Sequence, residues 1–531
     1  MHWNSTHLSL QETGYFSRII TDYLNRADTI KPFYQYESTL EGIRAAIENR
    51  KKYPTNRRAL TEILKKQYET LPKEPATLEH IEALLDANTF TIATAHQPAI
   101  FTGALYFIYK IIHVIRLSRY LSAQLPGYRF VPVFYMGSED ADLEELGKIY
   151  LDREKLVWET TQRGAVGRMK TTGLESILDR IKGEYAPEPF GAELIELLNA
   201  SYLGSPDIQT ATLKLIHSLF GSQGLVALIA DNPMLKREML PVFEDDLFNQ
   251  KPSAIVAKTI AALSAHYKVQ ARPREINLFY LKDDLRGRIE KVKEQFLIHE
   301  SALRFDEQGL REELHRFPER FSPNVILRGL YQETILPNIV FVGGAGETAY
   351  WLELKDLFAH YGAPFPVLVL RNSFLIISKK WNEKMGKAGL GLKDLFRDEE
   401  KLVEERIRQE SANQLSLQKE IEEASVYYKN LERIGGRVDP SLANHVRALH
   451  ARAVKPLLGL EKKLLRAEKR KHVDRQRQIR AIKSSLFPLQ GLQERIENFM
   501  PYYAAMGREF LDTLYKNSLS LEQDFTILQE V

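Results

Sequence analysis

The 531-residue sequence contains no cysteine. That absence excludes disulfides, cysteine-ligated zinc, iron–sulfur clusters and a thiol nucleophile together, and it permits a reducing compartment. A basic segment followed by an apolar stretch is missing from the first residues, MHWNSTHLSLQETGYFSRII, and no run approaches ~18 uninterrupted apolar residues. The expectation is a soluble, cytoplasmic protein with no membrane partner. Charge of one sign is also lacking: 73 Lys+Arg against 70 Asp+Glu leave +3, so nothing global points to nucleic acid. The 13 histidines show no H-E-x-x-H or similar spacing, so no tightly bound transition metal is expected.

At 44% hydrophobic residues the chain can bury a large core, and its length exceeds the size at which single cores stop growing. From Thr89, TFTIATA is β-branched and apolar, turns through HQPAIFTG and enters a helix-periodic run, ALYFIYKIIHVIRLSRYL. A second apolar run, YRFVPVFYMG, ends in SEDADLEEL. This β-α-β pattern predicts an α/β fold with a Rossmann-like parallel sheet and right-handed crossovers. Similar strands are expected at Leu225–Ala230, at Ile339–Val342 before GGAGE, and at FPVLVL before Arg371-Asn372-Ser373.

The predicted organisation is a first half of the core with N-terminal helices (1–150), a connecting insertion (151–215), a core strand and loop (216–234), a second insertion (235–322) and the second half of the core (323–395). A coiled-coil hairpin (396–486) and a C-terminal segment packing back on the core (487–531) complete it. In the hairpin, Leu417, Ile421, Ala424, Tyr428 and Leu431 step by four and three. The seam is expected to stop at Ile434-Gly435-Gly436-Arg437-Val438, with Asp439 capping a returning helix that starts at Pro440. Each arm would be about 35–45 residues, or roughly 50–65 Å. Residues 398–432 hold ten acids against five bases, and residues 455–483 hold eleven bases against three acids. Arms of opposite charge favour pairing with each other or dimerisation over a free basic face for nucleic acid.

Four polar constellations follow strands or open helices. His96, Gln97 and Thr102 could donate to a phosphate at a helix N-terminus, or form a capped turn. Glu139, Asp140 and Asp142 could bind Mg²⁺, hold an ammonium or accept a proton, or they could be ordinary first-turn acids. Gly344-x-Gly346-x-x-Ala349 fits a dinucleotide fingerprint, with Arg371 as an NADP-type partner, or is a turn that needs glycine, with Glu347 as a first-turn acid. Arg328, with Tyr331 and Gln332, could fork a carboxylate or phosphate or serve a structural ion pair. Trp351 and Tyr350 are more often core than ligand stack.

Taken in order, His96-Gln97-Pro98, Phe101-Thr102-Gly103, Tyr106-x-x-Tyr109-Lys110, Ser138-Glu139-Asp140-x-Asp142, Arg328-x-x-Tyr331-Gln332, Gly343-Gly344-x-Gly346-Glu347, Ala349-Tyr350-Trp351 and Arg371-Asn372-Ser373 resemble one family, the cysteine-adding enzymes (cysteine ligases) of bacillithiol biosynthesis. The resemblance implies a core like that of class I aminoacyl-tRNA synthetases and nucleotidyl transferases, and a homodimer through the coiled coil. It implies a ligase joining L-cysteine to glucosaminyl-malate by an amide bond, with ATP and Mg²⁺ activating the cysteine carboxylate as adenylate or acyl phosphate. His96, Gln97, Thr102 and Gly103 would then hold phosphates. Lys110 would add charge if it reaches back, Glu139, Asp140 and Asp142 would bind Mg²⁺ or the amine, and Arg328 and Arg371 would hold malate carboxylates or phosphates. Tyr106, Tyr331, Gln332, Gly344, Gly346, Glu347, Trp351, Asn372 and Ser373 would complete the binding surface. The family more often has Gln at position 96, Pro at 104 and His at 141, where this chain has His96, Ala104 and Ala141. Two rival readings are an NADP-dependent oxidoreductase built on the glycine loop and a non-catalytic coiled-coil scaffold.

Overall fold

A computed structural model describes residues 2–531, which divide into two compact units. The larger comprises residues 3–376 and 491–528; the smaller comprises residues 377–490 with residues 2 and 529–531.

At the centre of the larger unit is a parallel sheet of five strands: β1 (Thr89–His96), β2 (Arg129–Met136), β3 (Val226–Ile229), β4 (Asn338–Gly343) and β5 (Val367–Leu370). The first six residues of β1 and all of β4 and β5 are buried, as strands covered on both faces should be. Their spatial order is β5-β4-β1-β2-β3. The order reverses direction between β1 and β4, and at such a switch point the carboxyl ends of neighbouring strands diverge and leave a crevice. Helix α1 (Tyr106–Gln124) follows β1 and is buried on most of its circumference. Helix α2 (Val325–Ile335) precedes β4, and α3 (Ala345–Trp351) follows it.

Between β2 and β3 the chain inserts helices and a small hairpin, Lys148–Leu151 with Glu154–Val157. Between β3 and β4 it inserts an antiparallel sheet whose central hairpin pairs Leu278–Lys282 with Leu285–Val292. That hairpin delivers Arg286 to the crevice, and the segment before it delivers Arg272 and Arg274.

The smaller unit holds α4 (Glu399–Glu410), α5 (Gln418–Val438), α6 (Pro440–Lys471) and α7 (Val473–Leu486). The arms are therefore less continuous than expected, breaking at 411–417 and at His472. Helix α5 runs through both glycines to Val438, and Asp439 caps α6 through Ser441 N, as expected for the returning helix. The glycines are needed for approach and not for a break, because a Cβ on Gly435 would come 3.3 Å from the Cβ of Leu442 on the returning arm. Charge pairing is as expected, with Lys469 reaching Glu404 at 3.0 Å, Arg475 reaching Glu410 at 2.9 Å and Arg408 reaching Glu461 at 3.1 Å. Among the described residues, no helix is long and apolar enough to cross a membrane.

Candidate active site

The crevice between β1 and β4 opens into a cleft of about 780 Å³. Thr94 Oγ1 donates to Val342 O at 2.7 Å, and backbone bonds continue past the strand ends from Gly137 N to His96 O and from Arg371 N to Gly343 O. The carboxyl edge is thus stitched rigidly where the functional side chains emerge.

His96 and Gln97 end β1 and line the cleft. His96 Nδ1 lies 2.8 Å from Gln97 O, which can only accept, so Nδ1 carries the proton and Nε2 accepts from the Tyr106 hydroxyl at 3.0 Å. Burial, with Lys110 close by, lowers the imidazole to about 4. The ring is neutral, and both its nitrogens are engaged.

The loop after His96 departs from the phosphate-loop expectation. Phe101, Thr102 and Gly103 all have positive φ (49°, 68° and 62°), a strained run held from outside: Asn498 Nδ2 donates to Phe101 O and Gly103 O, and Tyr202 OH accepts from Phe101 N. Thr102 is buried away from the cleft with its hydroxyl unpaired, and Gly103 faces a smaller side cavity. Lys110, one turn into α1, does reach back. Its Nζ donates to Ala95 O at 2.9 Å and pairs with Glu347, while burial depresses its pKa against the pull of that carboxylate.

The acidic stretch separates into three destinations. Asp140 enters the cleft, accepting from Gln97 Nε2 at 3.1 Å and Arg328 at 3.4 Å. Burial would raise it, but Arg328 and Arg286 prevail and hold it at about 2. Glu139 turns into a buried cluster with Lys236, Asp231 and Arg168, outside the cleft lining. Asp142 spends its carboxylate capping a short helix through Glu145 N at 3.0 Å. Only one of the three expected acids therefore faces the cleft.

From α2, Arg328 lines the cleft, but Tyr331 donates to Ala230 O and Gln332 to Glu333, both inside the core. After β4, Gly344, Gly346 and Glu347 line the cleft, and Glu347 accepts from Gly344 N at 2.8 Å. Trp351 stacks on Phe341 at 4.4 Å and is core. Arg371 lines the cleft while pairing with Glu494 at 2.7 Å, and its buried Nε has no partner and faces Gly344. Asn372 and Ser373 are buried beside it, bonded to His113, Ser518 and Glu494.

Sequence reasoning missed several lining residues. Arg272, Arg274 and Arg286 come from the second insertion, Arg495 from the C-terminal segment, and Glu145 from the turn after the acidic stretch. None of those four arginines has an ion-pair partner among the described residues, although Arg286 stacks on Phe279 at 3.8 Å. The only local signal was the density of Arg in RPR and DDLRGR. The cleft is strongly electropositive, rigid at its floor and walled by inserted segments, which suits a polyanionic ligand.

Residues 3–372 match the family model described as bacillithiol biosynthesis BshC, N-terminal Rossmann-like domain, and residues 374–530 match bacillithiol biosynthesis BshC, C-terminal coiled-coil domain. A protein of Flavobacterium johnsoniae named "Putative cysteine ligase BshC" is 38% identical over 523 residues, covering 98% of this chain and 99% of its own. Relatives with the same name from Flavobacterium psychrophilum and Cytophaga hutchinsonii are 35% and 37% identical, covering 98% and 96% of this chain and 99% and 96% of their own. A solved Campylobacter jejuni structure titled "putative arginyl t-RNA synthetase" covers 85% of this chain and 99% of its own at 10% identity, with a TM-score of 0.22 too low to bear on the fold. Both halves of the chain and its full-length relatives agree, and the chain belongs to the BshC family of bacillithiol biosynthesis.

Proposed function

We propose that this chain is an ATP-dependent ligase that joins the carboxylate of L-cysteine to the amine of glucosaminyl-malate. The observation that supports this most is the set of unpaired guanidiniums, Arg272, Arg274, Arg286 and Arg495, converging on a switch-point cleft. Two of the three reactants are polyanions, a nucleoside triphosphate and a dicarboxylate, and each needs several fixed cations. The free Nε of Arg371 beside Gly344 suits a phosphate oxygen of ATP, which would enter with Mg²⁺. Arg328 and Arg286, both beside Asp140, suit the malate carboxylates.

The glycine loop lends little to the oxidoreductase reading. Glu347 already occupies the Gly344 N–H that would face a pyrophosphate. The loop also follows β4, whereas the fingerprint belongs to the first βα turn. A scaffold would gain nothing from four unneutralised arginines in one cleft. The direct test is incubation with ATP, Mg²⁺, cysteine and glucosaminyl-malate, with mass spectrometry of the thiol product and of AMP against ADP. Absence of product with every nucleotide would sink the ligase reading.

His96 in this reading orients and does not transfer protons. His96→Gln, the residue more frequent in the family, is expected to keep kcat/KM well short of the roughly 100-fold loss that follows removal of a general base. An acid limb near pH 6.5 in the parent that vanishes in the variant would contradict this. The hairpin is the proposed homodimer contact, since Val426, Val438 and Leu442 on its arms are exposed. Sedimentation equilibrium should give a dimer, and a monomer for Val438→Asp combined with Leu442→Asp; a monomeric parent would count against the contact.

A further inference from the structure

Amide formation needs an amine that has lost its proton, and the acids expected to take it are otherwise engaged. Asp140 is held ionised by Arg328 and Arg286, Glu347 is bound by Lys110 and Gly344 N, and His96 has both nitrogens in hydrogen bonds. The remaining carboxylate on the cleft wall is Glu145. Its side chain has no hydrogen-bond or ion-pair partner among the described residues.

Glu145 also stands in the wall of a second cavity of about 420 Å³, which shares His96, Tyr106 and Arg495 with the cleft. The two cavities differ in chemistry. The cleft is crowded with arginines, whereas the side cavity sets three acids, Asp142, Glu144 and Glu145, against Lys148 and the shared Arg495, with apolar Leu146, Ile149 and Ala104. Cations repel a substrate ammonium from the main cleft, and the shared wall is where an ammonium and an activated carboxylate can meet.

Resting on the ligase reading, we propose that Glu145 is a catalytic residue that receives the primary ammonium of a substrate at this shared wall and takes its proton. Glu145 takes one proton from the ammonium to give the free amine, which attacks the activated cysteine carbonyl, and the second nitrogen proton passes to solvent as the amide forms. The N–C bond forms, the C–O bond to the phosphate or adenylate leaving group breaks, and that oxygen departs with the electron pair. Facing Glu145 are Asp140, Asp142, Lys110, Lys148 and the Tyr106 hydroxyl; burial first, and then the two aspartates, raise the carboxyl above its ordinary value. A primary ammonium is offered both by glucosaminyl-malate and by cysteine, and the test separates them.

The experiment compares Glu145→Gln and Glu145→Asp with the parent, at equal thermal stability, in full turnover and in cysteine-dependent exchange of labelled pyrophosphate or phosphate into ATP. Full turnover should fall about 100- to 1,000-fold in the Gln variant, recover partly in the Asp variant, and lose its acid limb in the pH profile. Unchanged exchange places the sugar ammonium at Glu145; exchange lost in parallel, with a raised KM for cysteine, places the cysteine ammonium there and overturns the proton-transfer role. Turnover within threefold of the parent in Glu145→Gln overturns the inference and leaves the ligase reading intact. A parent that forms no product overturns both.

Discussion

Replacing Arg328 by Ala is expected to lower kcat/KM by about 100- to 1,000-fold, an effect expressed mostly in KM for the dicarboxylate substrate. Arg328 projects from α2 into the cleft and contacts Asp140 at 3.4 Å. Truncating one member of a desolvated charge pair costs about 2–5 kcal/mol, much of it from the charge left behind. Here that charge is Asp140, which the lost guanidinium would leave facing an incoming carboxylate of the same sign. Its carboxyl, held at about 2 in the parent, should move up toward the ordinary range, so the variant's KM defect should narrow as pH falls into that range and Asp140 loses its charge. Arg328→Lys keeps the charge but loses the planar fork, so it should fall between parent and Ala. Stability should change little, because Gln97 and Arg286 remain beside Asp140. A loss below threefold in Arg328→Ala, measured at saturating ATP, would remove Arg328 from the site.

The sheet was legible because its strands are apolar on both faces and each is followed by a turn and a helix, a pattern that local sequence fully encodes. His96, Gln97, Asp140, Arg328, Gly344 and Arg371 were legible for the same reason: they sit at the ends of those strands or on the helix packed beside them. Thr102, Glu139, Tyr331 and Asn372 were misplaced because a polar residue that holds a loop and one that holds a ligand look alike in sequence. Glu139 illustrates this, since it is adjacent to Asp140 yet points into a cluster with Lys236, Asp231 and Arg168 that no spacing rule predicts. Arg272, Arg274 and Arg286 were missed for a different reason. They reach the cleft only through the packing of an inserted sheet, and the contact lies more than 100 residues from β1 and β2. The hairpin tip was legible because Asp439 and Pro440 announce the returning helix, while Gly435 ahead of them lets that arm approach closely at Leu442.

Gln332 shows what the opposite edge of the sheet does, and it leads to the largest stability effect. Helix α2 begins at the cleft with Val325 and Arg328 and ends near Asn338, the first residue of β4. There Arg50, buried with its partner, pairs with Glu333 at 2.7 Å and donates to Glu333 O and Asn338 O at 2.8 Å. Glu333 also accepts from Gln332 and Asn338, and Asn338 in turn accepts from Thr91 on β1. Together these bonds join Arg50, the end of α2 and the two strands that flank the cleft, at the far end of those strands. Arg50→Met should destabilise the protein by about 3–5 kcal/mol, the cost of leaving a buried charge without its partner. Arg50→Met combined with Glu333→Leu should recover much of that loss, because no lone charge then remains. Burial raises the Glu333 carboxyl even with Arg50 present, and removing Arg50 must raise it further. A carboxyl raised in the folded state adds stability below its unfolded pKa that is lost as pH rises through the folded one. Urea unfolding should therefore show the gap between parent and Arg50→Met widening from acid toward neutral pH. A gap that stays constant across that range would mean that lost packing, and not the stranded carboxylate, accounts for the destabilisation.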